Sequence, residues 1–246
     1  MSLEACAEIV RRGDPDRFAS VMAAPLAARS RLFPLYAFNL EVARAPWVSK
    51  EPMIGEMRLQ WWRDVVAEPA PRAHEVVGPF HAVIGAAGLP LPVIDRLIEA
   101  RLHDVYGEVF ADAEAFSTYL DDTAGGLMWL ASVACGGSDE TAARALGWAS
   151  GLANYLRAVP ELEARGRQPL PDGRPQAVQA LAQEGLRRLR AAKGRVPVAA
   201  ALAAWQARGL LAQVAREPRV VADGAMGLSE FARRGGLLWA AFTGRV

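Results

Sequence analysis

Gly151-Leu-Ala-Asn154-Tyr-Leu-Arg157-Ala-Val-Pro160-Glu161-Leu-Glu-Ala-Arg165-Gly-Arg167-Gln-Pro169-Leu-Pro171 holds the main clue to the kind of fold this chain adopts. It starts as a helix and runs into Pro160, whose ring removes an N–H donor and crowds the preceding turn. It leaves through a basic loop closed by Pro169 and Pro171. Upstream, Ser138 is positioned to cap the helix that carries Ala145 to Val159. The break from Pro160 to Pro175 is the longest in the chain, and long loops on a rigid scaffold are where binding residues gather.

Outward from this segment the chain reads as helix almost throughout. Ala and Leu dominate, β-branched residues are sparse, and alternating patterns are nearly absent. Leu3 to Arg12 forms a first helix that stops at Gly13. Asp14 caps a second, with Pro15 in its first turn. Pro25 and Pro34 are expected to break or bend the next helical stretch. Phe33, Tyr36, Ala37, Leu40 and Ala43 describe one buried face, ended by Pro46. Glu56 to Ala67 is a helix bearing Arg58, Trp61, Trp62 and Arg63, stopped by Pro69 and Pro71. Adjacent tryptophans lie about 100° apart on a helix. One therefore faces the core, and the other faces either a groove or more core.

Apolar residues recur at three and four over 79–88 and 92–109. Asp112 caps a helix with Phe116, Tyr119, Leu120, Thr123, Leu127, Leu130 and Ala134 on one stripe, closed by Gly136 and Gly137. Gly125 and Gly126 inside it each cost roughly 1 kcal/mol against Ala. Such a cost marks close approach by another helix or by a ligand, and Gly147 and Gly151 invite the same two readings. Gln176–Lys193, Val198–Ala215 and a helix after Ser229 through Phe231, Leu238 and Trp239 complete the set. Many helices with short connections make an all-α, single-domain helical bundle over 1–246.

The 246 residues are 52% hydrophobic, so a sizeable core is possible. A net charge of +1 argues against a general nucleic-acid binder or an anionic-membrane binder. Lysine occurs only at Lys50 and Lys193; arginine supplies the remaining cations, as planar forks suited to carboxylates and phosphates. Cys6 and Cys135 lack paired spacing and read as reduced, which fits a cytoplasmic location. The first twelve residues lack the apolar core of a signal peptide, and no apolar run reaches the roughly 20 residues of a membrane span. A peripheral membrane contact stays open. His74, His81 and His103 are scattered and form no metal site. Asp95, Asp104, Asp121 and Asp122 read as exposed helical acids.

Asn154, Arg157, Gly166, Arg167, Leu170 and Pro171 resemble the second substrate-binding segment of the squalene/phytoene synthase family. There, Asn-x-x-Arg is followed by Asp-x-x-x-Asp and then Gly-Arg-x-x-Leu-Pro. Ala158 and Leu162 stand at the aspartate positions, with Glu161 between them. Tyr36-Ala37-Phe38 resembles the start of the family's first segment, whose aspartates would fall on Ala43 and Trp47. Glu41 lies two residues off, about 200° round the helix. Arg58 to Arg63, the Tyr119/Ala124/Gly125 frame, the entry helix at Asp14–Phe18 and the closing helices at Val198–Arg216 extend the resemblance over nearly the whole chain. Ala37-Phe38-Asn39-x-Glu41-x-Ala43-Arg44 is closer to a divergent branch that includes a respiratory complex I assembly factor.

The resemblance implies an isoprenoid-synthase type of bundle with a central cavity. It also implies prenyl diphosphate ligands, and Mg²⁺ held between two Asp-rich helices. Mg²⁺ demands hard oxygen ligands, and this chain has none at the four positions. We therefore expect no catalytic residue, no cofactor and no metal, but a binding protein for a lipid or diphosphate, or for a protein partner at a membrane. The candidate ligand residues are Tyr36, Arg58, Trp62, Tyr119, Gly125, Asn154, Arg157, Glu161, Arg165 and Arg167. The alternatives are an active prenyltransferase using Mg²⁺, and a helical adaptor with a collapsed cavity. For the arginines, pairing with Glu161, Glu163 or Asp64 at solvated helix ends competes with a cationic pocket.

Overall fold

The computed structural model describes residues 2–68 and 72–245; the expected stop at Pro69 and Pro71 lies outside the described residues. Those described contain helices and no strand. Helices α1 (Leu3–Gly13) and α2 (Pro15–Ala23) meet at Asp14, whose side chain accepts from the Arg17 N–H at 2.9 Å. Helix α3 (Leu26–Arg44) starts after Pro25 but runs straight through Pro34, correcting the expected break. Residues 32–39 are buried in succession. Their packing outweighs the roughly 3 kcal/mol that an interior proline costs. A 3₁₀ turn at Ala45–Trp47 closes α3.

Helix α4 (Pro52–Ala67) begins one turn before Glu56, with Pro52 at its first position, where the missing N–H is harmless. Helix α5 (Val77–Ala87) ends on left-handed Gly88. The run 92–109 divides into α6 (Leu91–Ala100) and α7 (Leu102–Tyr106), and Gly107, at φ +66°, stops it before Val109.

Asp112 caps α8 (Ala113–Leu120) as expected, accepting from the Ala115 N–H. The single stripe expected through Ala134 is interrupted by a π turn at Asp121–Gly125, after which α9 (Gly126–Ala134) resumes. Thr123 Oγ1 donates back to the Tyr119 carbonyl at 2.6 Å within that turn.

Helix α10 (Glu140–Ala164) corrects two expectations. Asp139, not Ser138, is its cap, accepting from the Ala142 N–H at 3.0 Å. Pro160 lies inside the helix, which continues another turn because Leu156 and Val159 anchor it in the core. The stop comes at Gly166 (φ +78°), where the Arg167 N–H reaches back to the Leu162 carbonyl. The basic loop therefore starts at Arg165. Helices α11 (Pro175–Ala192), α12 (Val198–Ala201), α13 (Ala207–Arg216) and α14 (Glu230–Thr243) complete the chain, the last capped by Ser229.

Helix α10 is central, packing on α9, α11, α13 and the π turn. Cβ atoms at Gly147 or Gly151 would collide with Ala124. At Gly125 one would lie 2.8 Å from Asp121 Oδ1 and 3.5 Å from the Arg144 carbonyl. Close approach of α10 to the π turn accounts for Gly147 and Gly151. Phe38 stacks on Phe80 (4.1 Å, 9°) and meets Trp62 edge-on (5.3 Å, 78°), uniting α3, α4 and α5.

Candidate functional site

Between α3, α8, α10 and the π turn lies a cavity of about 180 Å³. Its walls carry Tyr36, Asn39, Arg101, Tyr119, Ala124, Leu127, Met128, Ser150, Asn154 and Tyr155. The buried Tyr36 hydroxyl and Asn39 Oδ1 have no hydrogen-bond partner. Orphaned buried polar atoms cost free energy; both belong to residues that line the cavity, so a ligand that settled against them would supply the missing partners. Burial pushes the Tyr36 phenol up, so it remains a neutral hydroxyl.

The floor is fixed by a buried network. Tyr119 donates to Asp104 at 2.8 Å, and Arg101 donates to both Asp104 (3.1 Å) and the Tyr119 oxygen (2.9 Å). Asp104 is therefore not the exposed helical acid expected; its side chain is 16% exposed. Burial drives the Tyr119 phenol well above its ordinary value. Arg167 donates to the Asp104 carbonyl at 2.8 Å, tying the basic loop to this floor.

A groove of about 390 Å³ adjoins the cavity, sharing Arg17, Asn39, Ser150, Asn154 and Ala203 with it. Ala43, Arg157, Asp14, Asp16 and Gln206 line its outer part. The Arg17 guanidinium lies 4.9 Å over the Tyr36 ring, a cation at the junction of cavity and groove. Asp16 binds Arg233 at 2.5 Å and lies 3.6 Å from Arg157.

Burial works against the Asp16 charge, but hydrogen bonds from Gln206 and Arg233 and the Arg157 charge outweigh it, holding the carboxyl below its usual range. For a depressed carboxyl, the stabilisation is complete above the unfolded pKa near 3.9 and is lost as pH falls through the lower folded value. The Asp16–Arg233 tie should hold at pH 5 and release only in stronger acid. Chemical-shift titration of Asp16 with a midpoint above 4 would contradict this.

The candidate residues separate into distinct places. Tyr36, Tyr119 and Asn154 meet in the cavity, and Arg157 lies in the groove. Arg165 and Arg167 line a different depression, where both guanidinia sit over the Trp47 ring at 4.9 and 4.5 Å. The three loop arginines therefore do not form one pocket. Glu161 is exposed and pairs with Arg165 at 2.5 Å. Arg58 and Trp62 border an apolar groove of about 440 Å³ with Ile54, Met57, Trp61 and His74. Trp62 is core on its other side and Trp61 is half-buried, so the pair divides between core and groove. Glu41 turns toward Arg58 (3.6 Å), Arg44 and His74 (each 3.9 Å).

Arg17, Asn39, Arg101, Ser150 and Tyr155 were not legible as site residues. Asn39 and Ser150 did carry a signal: each is a polar residue within an otherwise apolar buried run.

Cavity, groove and helix order define an isoprenoid-synthase type of bundle. A solved dehydrosqualene synthase in complex with ligand superposes with a TM-score of 0.80 over 98% of this chain and 95% of its own, at 15% identity. Squalene synthase HpnC from Alicyclobacillus acidocaldarius gives 0.69 over 92% and 95%, at 17% identity. The chain belongs to the squalene/phytoene synthase family, whose model matches residues 10–241. Among curated proteins it is similar to NADH dehydrogenase (ubiquinone) complex I, assembly factor 6, of Bos taurus and Homo sapiens, 27% and 26% identical over 68% of this chain. The Drosophila melanogaster homolog is 29% identical over the same share. The chain spans 52% of the length of each of these relatives.

Proposed function

We propose that this chain binds an isoprenoid-type lipid or its diphosphate without divalent metal and does not condense it. The observation that carries the reading is the set of residues where the family resemblance puts aspartates: Ala43, Trp47, Ala158 and Leu162. None offers an oxygen to a hard cation. Two further observations support it. Among the described residues no three His, Cys, Asp or Glu side chains converge on a common point. At Trp47, one of those positions, the Arg165 and Arg167 guanidinium groups lie over the ring. Of the acids near the basic segment and the groove, Glu161 is engaged by Arg165 and Asp16 by Arg233.

The cavity's size supports binding over condensation. Its 180 Å³ is close to the roughly 150 Å³ that accommodates benzene, which is room for one chain end. The diphosphate would lie in the groove near Arg17 and Arg157, with Tyr36, Asn39 and Asn154 supplying neutral polar contacts. The names of the curated relatives favour assembly of a respiratory NADH dehydrogenase as the setting for this binding.

Titration with farnesyl diphosphate tests the reading. Affinity should be the same with Mg²⁺ or with chelator, and no pyrophosphate should appear. Arg157→Ala should weaken binding about tenfold or more, the scale of one charge-assisted hydrogen bond. Tyr36→Phe should weaken binding too, yet leave the free protein equally stable or about 1 kcal/mol more stable, since it removes an unpaired buried hydroxyl. Mg²⁺-dependent pyrophosphate release, abolished by Glu161→Gln, would establish the prenyltransferase alternative instead.

A further inference from the structure

Helix α14 turns its apolar residues outward. Phe231 and Phe242 are 89% and 91% exposed, Leu238 71% and Trp239 64%. At about 100° per residue, Phe231, Leu238 and Phe242 fall within about 40° of one another, with Trp239 beside them. The inward face is held by Arg233 on Asp16, by Gly236, where an added Cβ would lie 3.7 Å from the Trp205 ring, and by buried Ala240. That face fixes the helix orientation, so the outward stripe does not arise from a loosely packed end.

Charge accompanies the stripe. Residues 231–245 contain three arginines and no acid. Arg234 lies about 60° from Phe231 on the wheel, and Arg245 is exposed just past the Gly244 cap. Glu230, which pairs with both Arg233 and Arg234, precedes the stripe.

We propose that α14 docks this protein on an anionic lipid surface, lying flat with Phe231, Leu238, Trp239 and Phe242 at the headgroup–acyl boundary and Arg234 and Arg245 on the phosphates. Aromatic and leucine residues on one face with flanking arginine are the composition of an interfacial helix. Four side chains offer roughly 600 Å², short of the roughly 800 Å² per partner of a specific protein interface. Lipid insertion has no such threshold and scales with apolar area and charge. Among the described residues no helix is long and apolar enough to cross a membrane, so α14 is placed on the surface and not through it. Asp16, which holds Arg233, also lies beside Arg157 in the groove. The inward side of α14 therefore packs beside the groove, with the docked face turned away from it. The inference goes beyond the cavity's ligand and does not require it.

Vesicle co-sedimentation tests the docking. Vesicles of equal parts phosphatidylcholine and phosphatidylglycerol should bind the protein, and brominated acyl chains should quench a fraction of tryptophan emission that Trp239→Phe removes. Phe231→Ser with Phe242→Ser should lower partitioning tenfold or more while leaving circular dichroism and the farnesyl diphosphate titration unchanged. Arg234→Gln should weaken binding to anionic vesicles and have no effect on phosphatidylcholine alone. Equal partitioning of the wild type and the double serine variant would overturn the proposal. So would concentration-dependent dimerisation, abolished by the serines, without vesicle binding; that result would assign the face to a second copy.

Discussion

Gly147→Val should lower the unfolding free energy by about 3 kcal/mol, the upper end of ordinary overpacking. In a chain of this size that is a fall in Tm of about 6–12 °C. A Cβ at position 147 would press on the Ala124 carbonyl, lie 2.6 Å from Met128 Cβ and 2.8 Å from the Gly125 Cα. Two of these are backbone atoms of the π turn, and no rotamer change can move them aside. The turn cannot retreat, because Arg144 donates to Asp121 Oδ2 at 2.9 Å and to the Asp121 carbonyl at 3.3 Å. The nearest relief is to push Ala124 and Met128 into the cavity they line. Ligand binding should therefore fall with stability. Thermal unfolding by circular dichroism gives the first quantity and calorimetric titration the second; an unchanged Tm would mean that α10 and the π turn slide freely.

Arg101→Met should cost about 3–5 kcal/mol, because it leaves Asp104 charged and poorly solvated beside the Tyr119 hydroxyl. Arg101 and Asp104 side chains are 17% and 16% exposed, so water recovers little of that loss. The diagnostic variant is the double one. Arg101→Met with Asp104→Leu should regain a large part of the stability, since the penalty belongs to the unpaired charge and not to missing contacts. Chemical denaturation of both single variants and the double variant closes the cycle. If Asp104→Leu added a further loss on top of Arg101→Met, the network would be stabilising through packing instead. The double variant, which removes the acceptor as well, frees the Tyr119 hydroxyl to turn, which links this floor to the cavity's shape.

Helix content was readable in advance because caps and breakers act over one turn. Asp14, Asp112, Gly88 and Ser229 each do locally what their residue types do anywhere. Pro34 and Pro160 misled for the complementary reason. Both lie where successive turns are buried, and the packing of distant helices outweighs a local penalty. The π turn was likewise hidden, since the apolar stripe from Phe116 to Ala134 reads as unbroken when only spacing is considered.

The candidate site was legible in its parts and not in its assembly. Tyr36, Tyr119 and Asn154 could be named from motif frames, and they do face one cavity. Arg157, Arg165 and Arg167 are close in sequence, and there a shared cationic pocket competes with pairing at solvated helix ends. The helix carries on past Pro160, and so places Arg157 in the groove and Arg165 and Arg167 at Trp47.

By itself, then, the sequence determined an all-helical chain, the family frames, and apolar side chains at Ala43, Trp47, Ala158 and Leu162. Those depend on residue identity and near-neighbour spacing. The tertiary structure alone decided which polar groups converge, which buried hydroxyl and amide are left without partners, and that α14 presents its apolar side outward. Each of these depends on side chains far apart in the chain, such as Asp16 with Arg233 or Ala124 with Gly147, whose meeting no local propensity encodes.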